Sequence, residues 1–169
     1  MVERASGLKY KDSLQDVESV PDHIIYFVLF NHLVGLQEQA QRVAADGGSL
    51  DYYKLYEEQA RLDGNQSRLL FETANDCIVA VRQVDERAKS VIAAARSAFK
   101  NGKVSSPNDI PPPPLELQNL QQERNQTIIQ FRDRLNNSFG SEKFNEFDTF
   151  ARAKIIPNLE LNITTKEVK

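Results

Sequence analysis

Residues 65–101 of this chain read NQSRLLFETANDCIVAVRQVDERAKSVIAAARSAFKN, and this stretch decides the fold. Apolar or small side chains recur in it at alternating steps of four and three residues: Leu70, Ala74, Cys77, Val81, Val84, Ala88, Val91, Ala95 and Ala98. Such spacing places one continuous apolar stripe on a single side of a helix. Because no proline or glycine lies between Gly64 and Gly102, we predict one unbroken central helix over about residues 65–101.

A second row of side chains runs beside the first at heptad spacing. Its apolar members are Phe71, Ile78, Ile92 and Phe99. The two rows together form an apolar face that is too wide to remain in water. We therefore expect the other helices of the same chain to cover this face along its whole length.

Asp85 falls within the second row and interrupts it. An aspartate on an apolar face can pair with an arginine, and such a pair fixes the register of two helices. Arg82 and Arg124 are the candidate partners, and Arg124 interrupts the apolar stripe of its own helix. We take Asp85 and Arg124 as a structural polar pair, with exposure of Asp85 and a catalytic role as the open alternatives.

Shorter segments with helical spacing lie on both sides of the central stretch. The remaining predicted helices span about residues 22–45, 50–61, 115–139 and 142–155. Pro21 and Asp22 form a start signal in which Asp22 is the expected N-cap. Pro157 is expected to end the last helix, because proline lacks the backbone N–H that a helix interior requires.

These elements predict an all-α fold, an up-down antiparallel helical bundle with one long central helix and two shorter helices, about 50–61 and 142–155. A single domain would cover residues 21–157. An irregular N-terminal arm, 1–20, and a flexible C-terminal tail, 158–169, would flank it. Five of the seven prolines lie within 103–114, which favours a stiff polyproline connector.

Composition excludes several classes of function. A net charge of −3 and a pI near 5.5 argue against nucleic acid as a partner. The longest apolar run, residues 24–30, is too short to span a membrane. The single cysteine, Cys77, excludes an internal disulfide and is expected to be a buried small side chain on the apolar stripe.

The sequence contains no recognisable catalytic or cofactor motif. His23 and His32 are nine residues apart, on different sides of their helix, so they cannot share a metal ion. Phosphate-binding loops and nucleophile elbows are absent from the sequence. We therefore predict no enzymatic activity, no cofactor and no metal. Asp148 and Arg152, at i and i+4, are interpreted as a surface ion pair.

Three segments carry a resemblance to a known group of proteins. They are PPPPLEL at 111–117, LQQERNQTI at 120–128 and FGSEKFNEFDTF at 139–150. They resemble uncharacterised bacterial all-helical proteins with the pattern PPPPxEL…LQxxRxxxI…FGxxxFxxFDxF. More remotely, the layout is similar to the Spy/CpxP-type periplasmic chaperones, although their LTxxQ motifs do not occur here. The resemblance implies a helical fold and export, and it transfers no catalytic residue.

The predicted function is that of a non-enzymatic bacterial helical interaction protein, chaperone-like or a stress-related scaffold. A protein partner and a homodimer are both open. The alternatives are a structural protein and a module that binds a small apolar ligand, lined by Tyr26, Phe27, Phe30, Tyr53, Phe144 and Phe147. The expected location is periplasmic or exported if a signal peptide was removed, and otherwise cytoplasmic.

Overall fold

The computed structural model of this protein describes residues 20–99 and 112–167, with side chains as far as Leu159. These ranges contain five helices: α1 (Asp22–Ala45), α2 (Tyr52–Ala60), α3 (Gly64–Phe99), α4 (Leu115–Phe139) and α5 (Ser141–Glu167). The prediction of an all-α bundle around one long helix is confirmed. The predicted N-terminal arm, except Val20, and residues 103–111 of the connector lie outside the described residues.

Local side chains explain where the helices begin. Asp63 and Gln66 form a reciprocal pair at the start of α3: Gln66 N donates to Asp63 Oδ1 at 2.7 Å, and Asp63 N donates to Gln66 Oε1 at 3.0 Å. Asp51 caps α2 by accepting from Lys54 N at 3.1 Å. The prediction that Asp22 caps α1 was wrong. Pro21 occupies the cap position, and Asp22 is the first helical residue, where its carboxylate pairs with arginines of other helices.

The end of α5 also differs from the prediction. The helix expected over 142–155 continues through Pro157 to Glu167, so the predicted tail begins inside a helix. Residues on both sides of the proline explain this result, because Ile155 and Ile156 are buried in the core and Leu159 packs against it. Their burial offsets the backbone hydrogen bond that Pro157 cannot make.

The core lies around the first half of α3. Phe71 is fully buried, and its ring meets Tyr52, Tyr53 and Tyr56 of α2 at centroid distances of 4.8, 5.3 and 5.5 Å. The most extensive helix contact is that between α3 and α4. These two helices run antiparallel, as shown by the ion pairs Asp76–Arg134, Asp85–Arg124 and Arg87–Glu123.

The second half of α3 is not covered as expected. Buried side chains of this helix end at Val84, and Ile92 is 36 % exposed. Two interhelical ion pairs at the start of this half, Asp85–Arg124 and Arg87–Glu123, join it to α4. The expectation of full coverage was therefore wrong for residues 85–99. We call residues 85–99 of α3 and the neighbouring residues 115–123 of α4 the extension.

Replacing the Phe71 side chain by a smaller one tests the position of the core. We expect Phe71→Ala to lower the free energy of unfolding by about 3–5 kcal/mol, because it leaves a cavity beneath three tyrosine rings. Val79 lies on the same helix and is 54 % exposed, so Val79→Ala should change stability by less than about 0.5 kcal/mol. Urea unfolding followed by circular dichroism measures both. Equal losses of stability in the two variants would contradict a core centred on Phe71.

A second substitution tests the course of α5. If the helix passes through Pro157, Pro157→Ala restores one backbone hydrogen bond and should raise the free energy of unfolding by up to about 3 kcal/mol. The helical circular dichroism signal should also increase. Pro21→Ala is the control, since Pro21 precedes α1 and replaces no helical bond. A helix that ended before residue 157 would leave both readouts unchanged.

Candidate functional site

The aromatic residues predicted to line a ligand site fall into separate groups within the described part of the chain. Tyr26, Phe30, Phe144 and Phe147 are buried in the core. Tyr26 packs against Phe30 and Phe144, with ring centroids 5.7 and 6.1 Å apart. The Phe147 ring instead lies 5.7 Å from that of Phe139 and 6.3 Å from that of Phe150. The four side chains are thus packed against other core residues.

The other two predicted ligand residues lie elsewhere. The Tyr53 ring centroid lies 4.4 Å from that of Tyr52. A side-chain hydrogen bond with Tyr52, together with burial, raises the pKa of Tyr53 to about 12. Phe27 lies beneath the Arg124 guanidinium, whose Cζ is 4.1 Å from the ring centroid. Phe27 and Tyr53 thus belong to separate clusters. A surface depression at the α4–α5 turn is lined by residues 139–143 and Glu146, and by none of the six predicted residues.

Asp85 and Arg124 are brought together at the boundary between the core and the extension. Arg124 Nε donates to Asp85 Oδ1 at 3.0 Å, and the two side chains are 20 % and 43 % exposed, respectively. Arg82, the other candidate partner, is exposed. The guanidinium has Phe27 of α1 on its face and Asp85 of α3 at its edge. The pair therefore joins three helices at the point where the covered part of α3 ends.

The most buried charged group of the described residues was interpreted incorrectly from the sequence. Arg152 is only 9 % exposed, so its assignment to a surface pair was wrong. Its Nε donates to Asp148 Oδ2 at 3.1 Å, and its Nη1 donates to the Val20 carbonyl at 2.9 Å. It also forms an ion pair with Asp22 of α1. Arg152 thus holds the beginning of α1 against α5.

Two further side chains extend this cluster. Tyr26 Oη donates to Asp148 Oδ1 at 2.7 Å, and burial together with this hydrogen bond raises the pKa of Tyr26. Arg132 of α4 pairs with Asp22 and donates to Asp133 Oδ1 at 2.6 Å. We call Asp22, Tyr26, Arg132, Asp148 and Arg152 the polar cluster.

The charges of the polar cluster are matched among its own members. Each carboxylate accepts from guanidinium or hydroxyl donors, and α1, α4 and α5 all contribute. Such a network specifies how the helices fit together. The i, i+4 spacing of Asp148 and Arg152 predicted one contact of the polar cluster. The contributions of α1 and α4 carried no local signal, because they depend on tertiary packing.

Burial shifts the pKa values of the potentially reactive groups toward their uncharged forms. Burial raises the pKa of Cys77 to about 12, so the thiolate is disfavoured. Burial also raises the pKa of Tyr56, whose hydroxyl has no hydrogen-bond partner among the described residues. Burial and the nearby Lys154 lower the pKa of His32. Within the part of the chain that the structure describes, no three His, Cys, Asp or Glu side chains form a metal-binding group.

Comparison with family models, curated proteins and solved structures gives no match to this chain. Among the helices of the described ranges, none has the length and apolar character needed to cross a bilayer. The candidate surfaces are therefore compared by their own geometry. The polar cluster is internally matched, whereas the extension has an apolar face with exposed side chains.

Replacing Arg152 tests how much the polar cluster contributes to stability. Arg152→Ala should lower the free energy of unfolding by about 3 kcal/mol, because it removes a buried guanidinium and leaves the half-buried Asp148 and Asp22 carboxylates with fewer partners. Arg134→Ala removes the exposed pair with Asp76 and should cost at most about 1 kcal/mol. Denaturant unfolding of both variants measures the difference. Similar losses of stability in the two variants would show that Arg152 contributes no more than an exposed ion pair does.

Proposed function

We propose that this protein is a non-enzymatic helical interaction protein, chaperone-like or scaffold-like, which binds a protein partner along the extension. One observation carries the proposal: the apolar face of α3 continues past the point where the described helices of the bundle cover it. Phe71 and Ile78 of the second row are buried, whereas Ile92, in the same row, is 36 % exposed. The heptad phase does not change between these positions.

The shape of the extension favours a helical or unfolded segment as its ligand. Residues at heptad spacing on one helix match the apolar face of a second helix laid beside it. Val91, Ala95 and Phe99 are half-buried around Ile92, so they offer partial apolar surface without a closed pocket. Lys89 and Arg96 are exposed beside this face and would keep it soluble when it is vacant.

The proposed location is the bacterial envelope, as the resemblance to exported helical proteins implies. A chaperone-like or scaffold-like protein there would meet unfolded or partly assembled proteins, for which an apolar face with a charged rim is suited. Fractionation of cells that express the complete natural reading frame tests this part separately. Recovery of the protein with the cytoplasmic fraction would restrict the proposal to an intracellular partner.

A pair of matched variants tests the proposed binding face. Ile92→Gln should reduce suppression of the aggregation of a reduced, unfolded test protein several-fold, because it removes the central apolar side chain of the extension. Val79→Gln makes the same kind of change at an exposed position outside the extension and should have no effect. Light scattering measures aggregation, and circular dichroism verifies that both variants are folded. Failure of the natural protein to suppress aggregation, or equal activity of all three proteins, would contradict binding of this client class.

A further inference from the structure

Four successive apolar residues at the beginning of α4 take no part in the hydrophobic core of the described residues. Pro112 and Pro113 are exposed, and Pro114 is half-buried. Leu115, the first residue of the helix, is 70 % exposed, which is the largest value among the large apolar side chains that the structure describes. We call residues 112–115 the proline segment. Packing of the core does not account for its exposed apolar side chains.

The backbone of the proline segment has the polyproline II conformation. A proline ring holds φ at about −65°, and a residue that precedes a proline favours ψ values of about 120° to 160°. Pro112 and Pro113 both precede a proline. Pro114 has φ −56° and ψ 140°, which lies close to polyproline II. Its carbonyl accepts from Leu117 N at 3.0 Å, and this bond attaches the segment to the first turn of α4.

A segment preformed in this way suits one mode of protein recognition. Polyproline II presents its rings and its backbone carbonyls outward, because it forms no internal hydrogen bonds. Grooves lined by aromatic side chains bind such rings. Since proline rings fix the conformation before binding, little conformational entropy is lost when the segment enters a groove. Leu115 adds an exposed apolar side chain directly after the rings.

We propose that the proline segment binds a folded partner protein, in a groove that this partner lines with aromatic side chains. The groove takes the rings of Pro112 and Pro113, and an apolar pocket at its end takes the Leu115 side chain. This interaction goes beyond the proposed function and does not depend on it. Its partner is a folded domain with a groove, whereas the face around Ile92 is proposed to bind a helical or unfolded segment.

The proposed contact is small, so we expect weak and rapidly exchanging binding. A four-residue segment covers much less than the roughly 800 Å² per partner of a standard stable interface. In a contact of this size, a few side chains supply most of the binding free energy. Removing one of these side chains should therefore weaken binding by about tenfold.

The absence of tryptophan from this chain permits a direct test with the full-length protein. Three purified domains that bind polyproline II segments serve as probes: an SH3, a WW and an EVH1 domain, each chosen to have a tryptophan in its groove. Titration with this protein should change the tryptophan fluorescence of at least one domain in a saturable manner. All of the tryptophan signal comes from the probe domain, so the change reports occupation of the groove.

Two variants test the contribution of the proline segment. Replacing both exposed prolines, Pro112→Ala with Pro113→Ala, should weaken binding to the responding domain about tenfold or more, because the backbone is no longer held in polyproline II. Leu115→Ala should weaken it about tenfold by removing the side chain from the pocket. The high exposure of Leu115 means that this second variant should remain folded.

Matched controls for both variants exist in the chain. Pro21 also precedes a helix, with φ −58° and ψ 142°, but it is a single proline, so Pro21→Ala should leave binding unchanged. Leu55 is 38 % exposed and lies outside the segment, so Leu55→Ala should have no effect. Ile92→Gln should also bind as the natural protein does. Circular dichroism verifies that every variant is folded.

Three results would overturn the inference. The first is the absence of a fluorescence change in all three domains at millimolar concentrations of this protein. The second is equal affinity of the natural protein and of the two proline-segment variants. The third is loss of binding in Ile92→Gln, which would place the contact on the face of α3. Suppression of client aggregation is measured separately, so the proposed function and this inference can fail independently.

Discussion

The apolar face of α3 is the constraint on which the rest of the structure depends. Its two rows of side chains must be removed from water, and burying each large apolar side chain contributes roughly 1.5–3 kcal/mol before conformational entropy is counted. The first half of the helix is covered by aromatic side chains of α2 and by α1 and α4, and α5 packs on α1 and α4 in the same core. The second half has α4 beside it and remains partly open. This difference between the halves separates the body of the protein from the extension.

Two arginines, each with its acidic partners, lie at the edges of the covered core. At one boundary, Asp85 and Arg124 form a half-exposed pair with Phe27 beneath the guanidinium. On another side, Arg152 connects α5 to the beginning of α1 through Asp22 and the Val20 carbonyl. Both arginines combine charge pairing with donors in fixed directions, which lysine cannot reproduce. Together these contacts connect α1, α3, α4 and α5 at the edges of the core.

The functional interpretation follows from the contrast between these regions. Matched charges and filled aromatic space in the body are features of a structural core. In the extension, a heptad pattern of the kind that normally contacts another helix has side chains in solvent. The proposed function concerns that face.

The sequence by itself determined the helical class, the length of α3, its uninterrupted course and the pairing candidate Asp85–Arg124, because each depends on local periodicity or on one interruption of it. Only the tertiary structure decided the surroundings of Arg152, the helical course of α5 through Pro157 and the open face at Ile92. The spacing of Asp148 and Arg152 is the same whether the pair is exposed or buried. The proline rule describes an isolated helix, and burial of Ile155 and Ile156 outweighs it. Periodicity shows that a face is apolar, but which helices reach that face depends on how the whole chain packs.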